Sequence, residues 1–203
     1  YVNAEYGLLG KNFFETEIPQ SEGVLQYAEA ISIGQTDFRN IIAKHKNTPT
    51  DRIIALLYPG EAINLVKQMR ESNVNTEILS YLTFTYDNVQ TALVKEADNT
   101  VFTAPEFAIE NLNAKGEEFK KAFNSQYGQM PNWNVAFPYD IIQIIGQALT
   151  VTGSTDVKKL REEIRRTKNF EGITGEISID ANNDSKTSMY LVKLKDGKIE
   201  MIK

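Results

Sequence analysis

The chain has 203 residues, a formal net charge of -5, 41% hydrophobic and 24% charged residues, and no cysteine. That suffices for one sizeable domain or two small ones of ordinary globular composition. The acidic balance argues against a nucleic-acid partner, whose phosphates call for a basic surface. No apolar run reaches membrane-spanning length, and the lack of cysteine excludes disulfides, thiolate metal sites and a cysteine nucleophile. The one histidine, His45, stands between Lys44 and Lys46 near a helix end. It reads as a solvated surface residue, which leaves a Ser-His-Asp triad or a histidine-rich metal site without its imidazole.

In chain order, Tyr6-Gly7 opens an amphipathic helix, GLLGKNFFETEI, with Leu9, Phe13 and Ile18 on one side and Pro19 closing it. Gly23 to Ile31 alternates and predicts a strand. Gly34 to Asp37 is loop and cap, and Phe38 to Lys46 a helix whose apolar side is Phe38, Ile41 and Ile42. The stretch DRIIALLYPGEAINLVKQMRES organises the rest. Arg52 to Leu57 suits a strand buried on both faces of a parallel sheet. Tyr58-Pro59-Gly60 breaks it, and from Glu61 a helical period places Ile63, Val66 and Met69 on one side. In open α/β sheets the loop at a strand's carboxyl end is where ligands sit, and Tyr58 stands in that loop.

Thr76 to Ser80 predicts the next strand, Tyr81 to Asn88 a polar and aromatic loop, Val89 to Glu96 a helix capped by Asp87, and Thr100 to Thr103 another strand. This alternation implies crossover units and a largely parallel sheet with helices on its faces. From about Asn111 the pattern changes to three helices: Glu117 to Tyr127, Val135 to Val151 and Val157 to Arg166. The middle one is oily almost all round and is therefore predicted to be buried. Glu176 to Asp180, Ser188 to Leu194 and Lys198 to Ile202 then form a small antiparallel addition. The segment Asp180 to Asp184 begins like a calcium loop, but Ser185 and Leu191 stand where glycine and a bidentate glutamate are required, so a hairpin turn is the better reading.

Several of these pieces, taken together, resemble one family, the type I periplasmic solute-binding proteins, in particular the branched-chain amino-acid receptors of ABC importers. The resemblance rests on NAEYGLLGKNFF, QTDFRNIIAKHK, DRIIALLYPGEAINLVKQMRESNVNTEILS, FKKAFNSQYGQMPNWNVAFPYDIIQIIGQAL and NFEGITGEISIDANNDS, in the family's order. It implies an α/β, doubly wound, mostly parallel sheet forming one lobe of a two-lobed clamp, with a helical segment and a C-terminal antiparallel addition. Residues 1–110 would be the second lobe, 111–168 a helical return belonging to the first lobe, and 169–203 strands packing back on the second. The family's first-lobe strands would precede Tyr1, and Tyr1-Val2 looks like the stub of a strand, so the chain is expected to be a fragment. Its central helices would pack differently on the intact lobe or pair with a second copy as a homodimer.

The same resemblance places ligand groups at Tyr6 and Tyr58, with Ser80, Tyr81 and Phe84 as cleft wall. Phenol faces would meet an aliphatic group and hydroxyls a polar end. The family's acid for a ligand ammonium would fall at Tyr81-Leu82-Thr83, where no acid stands, and nearby Asp87 reads as a helix cap. The implied function is an extracytoplasmic receptor, on the periplasmic or extracellular face of the membrane, that hands a small polar, amino-acid-like ligand to an ABC permease. No catalytic residue, metal or cofactor is expected. The alternatives are a ligand-sensing ectodomain of a membrane receptor and, with no phosphate loop or nucleophile-base pair to support it, an α/β enzyme.

Overall fold

A computed structural model describes residues 1–202. The chain enters through Tyr1-Val2-Asn3, where Val2 bridges Ile31 in parallel, and turns directly into helix α1 (Glu5–Gln20). Gly7 lets this helix lie against the entry segment, because a Cβ there would stand 2.0 Å from the Val2 carbonyl oxygen. Pro19 sits inside the last turn of α1 rather than beyond it. The predicted strand Gly23 to Ile31 does not form as such: of these residues only Ile31 bridges a neighbour, Val2. A strand needs a partner along its length, and Tyr1 to Asn3 offers three residues of one.

Helix α2 (Arg39–Asn47) is followed by β1 (Arg52–Ala55), helix α3 (Pro59–Glu71), β2 (Glu77–Ser80), a 3-10 turn at Leu82–Thr85, helix α4 (Asp87–Ala92) and β3 (Val101–Pro105). Pro59 opens α3 where its missing N–H costs nothing. Asp87 lies in the first turn of α4 rather than capping it; the cap position is Tyr86. β1 pairs parallel with β2, from Arg52 beside Glu77 to Ala55 beside Ser80, and β2 pairs parallel with β3. The remaining elements are helices α5 (Ala114–Tyr127), α6 (Trp133–Thr152) and α7 (Val157–Arg165), then β4 (Phe170–Gly172), β5 (Gly175–Ile179), β6 (Ser185–Thr187), β7 (Met189–Lys195) and β8 (Lys198–Met201). The strand order is β1-β2-β3-β7-β8 in one sheet and β4-β5-β6 in the other. The C-terminal antiparallel strands are thus shared between two sheets. The hairpin β7-β8 extends the parallel sheet, and β4 to β6 form their own. The turn Asp180 to Asp184 joins β5 to β6, with Asp180 accepting from the Asn182 and Asp184 amides.

The chain forms two compact units, Tyr1–Thr103 with the segment from Leu191 onward, and Ala104–Tyr190. In the first, Phe38, Met69, Ile78, Phe84, Leu93, Phe102 and Leu194 are fully buried. Glu61, in the first turn of α3, is buried too and accepts from the Gly34 amide at 2.7 Å. Gln68, two turns on, accepts from the Phe38 amide and donates to the Thr36 carbonyl, so α3 fastens the loop before α2.

His45 corrects the sequence reading, for it is only 5% exposed. Its Nδ1 meets the Tyr27 hydroxyl at 3.3 Å and its Nε2 the Thr76 hydroxyl at 2.7 Å. It stands three and four residues after Ile42 and Ile41, on the apolar side of α2, and two hydroxyls satisfy both ring nitrogens there. The charged sequence neighbours concealed that placement.

The second unit has a smaller core, Phe107, Ala136 and Ile173 with Phe119 packed on it. Helix α6 is not buried all round as predicted. Ala136, Asp140, Ile144 and Ala148, each four residues apart, form one buried stripe, while Ile141, Ile142, Leu149 and Val151 are exposed. Asp140 holds this stripe in place. Its carboxylate accepts from the Ile173 amide at 2.8 Å, the Thr174 amide at 2.9 Å and the Thr174 hydroxyl at 2.6 Å. Gly172 makes room, since a Cβ there would stand 2.4 Å from Asp140 Oδ2. The neighbouring helices carry conventional caps. Asn113 accepts from the Gly116 amide to start α5, and Asp156 accepts from the Lys158 and Lys159 amides to start α7.

Candidate functional site

Two chain reversals at strand carboxyl ends bring three aromatic residues together within the first unit. Tyr58 follows β1 and caps α3 with extended backbone, and Tyr81 follows β2. Tyr6 lies in the first turn of α1, just after the entry segment beside which the carbonyl of Leu56 is bonded. Tyr6 and Tyr58 stack with ring centroids 6.0 Å apart, and Tyr6 and Tyr81 lie 6.5 Å apart, tilted. Tyr58 and Tyr81 remain partly exposed, at 39% and 40%. Such a group offers flat apolar faces and hydroxyls to the same small volume.

The electrostatics follow the burial. Burial pushes the Tyr6 phenol above its usual range, the Thr83 hydroxyl offsets part of that, and the phenols of Tyr81, Tyr58 and Tyr86 push it further up. Tyr6 is therefore neutral near pH 7 and able both to donate and to accept. Thr83 donates to the Leu57 carbonyl at 2.6 Å, which ties the turn after β2 to the end of β1. Ser80 donates to the Ala55 carbonyl at 2.8 Å and joins the same two strand ends.

Of the sequence-derived candidates, Tyr6, Tyr58 and Tyr81 come together. Ser80 is half-buried, with its hydroxyl engaged by backbone. Phe84 is fully buried and packs on Phe102 at 5.8 Å, so it underlies the turn and presents no surface of its own. Thr83 and Tyr86 join the group without having been singled out. The aromatic spacing of YLTFTYDN was the available signal, but the 3-10 turn at Leu82–Thr85 decides which of those side chains point inward. Among the described residues no cluster of three or more histidine or acidic side chains could hold a metal ion.

Known proteins resemble this chain over most of its length. The family model for periplasmic binding proteins matches residues 1–198. A Leu/Ile/Val-binding protein homologue of Brucella abortus is 25% identical over 181 residues, covering 86% of this chain and 47% of that protein. The leucine-binding protein LivK of Thermotoga maritima superposes with a TM-score of 0.83 at 25% identity, over 98% of this chain and 57% of that one. LivJ of Streptococcus pneumoniae, solved with isoleucine, gives 0.81 at 26% identity over the same shares. The chain spans about half the length of the curated relatives it matches. With the family model covering nearly its whole length, the chain belongs to the periplasmic binding proteins, a family of solute receptors and not of enzymes.

Proposed function

We propose that this chain is the ligand-receiving part of an extracytoplasmic solute receptor that serves an ABC importer, and that its ligand is a small, amino-acid-like metabolite. The observation that carries the reading is the group Tyr6, Tyr58 and Tyr81 at the carboxyl ends of parallel strands. Partly exposed phenol faces suit an aliphatic side chain, and hydroxyls suit the polar end of such a ligand. The relatives named for leucine, isoleucine and valine support that ligand class. The mechanism is capture and release, without bond chemistry. A second reading rests on the stretch Tyr81-Leu82-Thr83, where the resemblance expects an acid for a ligand ammonium and none stands. That favours a ligand lacking an ammonium, because a buried unpaired charge is costly.

Isothermal titration with leucine, isoleucine, valine and the ammonium-free analogue 4-methyl-2-oxopentanoate tests both readings. Changing the exposed Tyr58 to Ala should weaken binding about tenfold or more, equivalent to roughly 1.4 kcal/mol. Unchanged affinity in a folded Tyr58→Ala variant would place the ligand elsewhere. Binding of the oxo acid in preference to leucine would establish the second reading over the first.

A further inference from the structure

The rings of Tyr6, Tyr58 and Tyr81 share one small region of the first unit. The planes of Tyr58 and Tyr81 are turned only 25° and 32° from that of Tyr6, at centroid distances of 6.0 and 6.5 Å. An aromatic face attracts a cation that lies within about 6 Å of its centroid. One cation can therefore be in reach of Tyr6 and Tyr58, or of Tyr6 and Tyr81, at the same time. Tyr58 and Tyr81 leave surface open for it, being 39% and 40% exposed. The side chains that act on the Tyr6 hydroxyl are Thr83 and the phenols of Tyr81, Tyr58 and Tyr86. Thr83 itself donates to the Leu57 carbonyl at 2.6 Å. The acids that stand close in sequence have other tasks. Glu61, in the first turn of α3, is 4% exposed and accepts from the Gly34 amide at 2.7 Å. Glu5 and Asp87 lie exposed in the first turns of α1 and α4, where the helix dipole favours a carboxylate.

We infer, on the reading that this group is the ligand site, that its ligand carries a fully methylated ammonium, as glycine betaine and choline do, and that the tyrosine faces hold that cation. A primary ammonium brings N–H donors that need acceptors once buried, and a carboxylate is the strongest of these. A quaternary ammonium has no N–H to satisfy. Its charge is spread over methyl groups that pack on apolar faces, and what it needs is an electron-rich surface. Tyrosine faces supply the contact and the attraction together, with no carboxylate required. Glycine betaine is trimethylated glycine, so such a ligand remains amino-acid-like. An aliphatic side chain would use the same faces for hydrophobic contact alone. The two cases differ in charge at constant shape.

The test therefore pairs each cation with its neutral-carbon isostere. Choline is set against 3,3-dimethylbutan-1-ol, and glycine betaine against 3,3-dimethylbutanoate. Each is titrated into the 203-residue chain with ligand NMR line broadening as the readout, so that weak binding is measured, and leucine is titrated alongside. At least one ammonium should bind about tenfold or more tightly than its isostere. Which pair shows the difference tells whether the other end of the ligand is a hydroxyl or a carboxylate. Tyr58→Phe keeps the ring face and should hold the affinity within about threefold, while Tyr58→Leu, with its fold checked by circular dichroism, should lower it about tenfold. Equal binding within both pairs would overturn the inference, and so would ammonium binding that Tyr58→Leu leaves unchanged. No binding of either ammonium would overturn it too. Leucine then separates the two readings. Leucine binding that Tyr58→Leu weakens would keep the tyrosine group as the ligand site, and leucine binding indifferent to that change, or none, would remove the site as well.

Discussion

The two units bury their interiors by different means. The largest fully buried side chains among the described residues, from Val2 and Phe38 to Val192 and Leu194, all belong to the first unit, where helices flank a parallel sheet. The second unit gathers a small cluster around Phe107, Ala136 and Ile173, and fastens its longest helix with one buried carboxylate. A sheet offers two broad faces to cover, and hydrophobic burial alone can fix the helices upon it. Helix α6 buries only a stripe, and its polar contact with the turn between β4 and β5 helps to decide which stripe.

The sharpest way to break this contrast is Asp140→Ala. It would leave two buried amides and one hydroxyl without an acceptor, each costing roughly 1–3 kcal/mol. A loss of about 3 kcal/mol or more is expected, read by urea unfolding with the fluorescence of Trp133, the chain's one tryptophan. A loss under about 1 kcal/mol would mean that hydrophobic contact fixes α6 after all. A smaller pair of effects separates the two faces of the same helix. Ile144→Ala should cost about 2–4 kcal/mol, and Ile142→Ala, at a residue 64% exposed, within about 0.5 kcal/mol. Equal losses would show that the outer face is covered in solution.

Much of this architecture was legible in the residues because periodicity is local. The run Arg52 to Leu57, the break at Tyr58 and the 3.6-residue repeat after it placed β1, the loop after it and α3, and the run of alternating elements placed the parallel sheet. Beside the unpaired segment Gly23 to Ile31 and the shifted helix ends at Pro19 and Asp87, the misses were questions of which surface faces what. His45 is masked by lysines that neighbour it in sequence while it shares a helix side with Ile41 and Ile42. The apolar content of α6 says nothing about how much of it has something to pack against. Phe84 belongs to an aromatic loop whose spacing is right for a wall, but the 3-10 turn directs it onto Phe102. The hairpins near the carboxyl end announce themselves by their turns, yet the choice between joining β3 and standing apart depends on partners distant in sequence.

The contact at residue 140 has a bearing on helix azimuth. Successive residues of an α-helix point about 100° apart, so a rotation by a single position would carry the carboxylate away from all three donors. Ile141 and Ile142 thus face outward because an acid one position earlier has chosen the orientation. Gly172 has to remain without a side chain for that acid to fit. Positions 140 and 172 should consequently vary as a pair, and a larger residue at 172 would free the helix to turn its oily side inward.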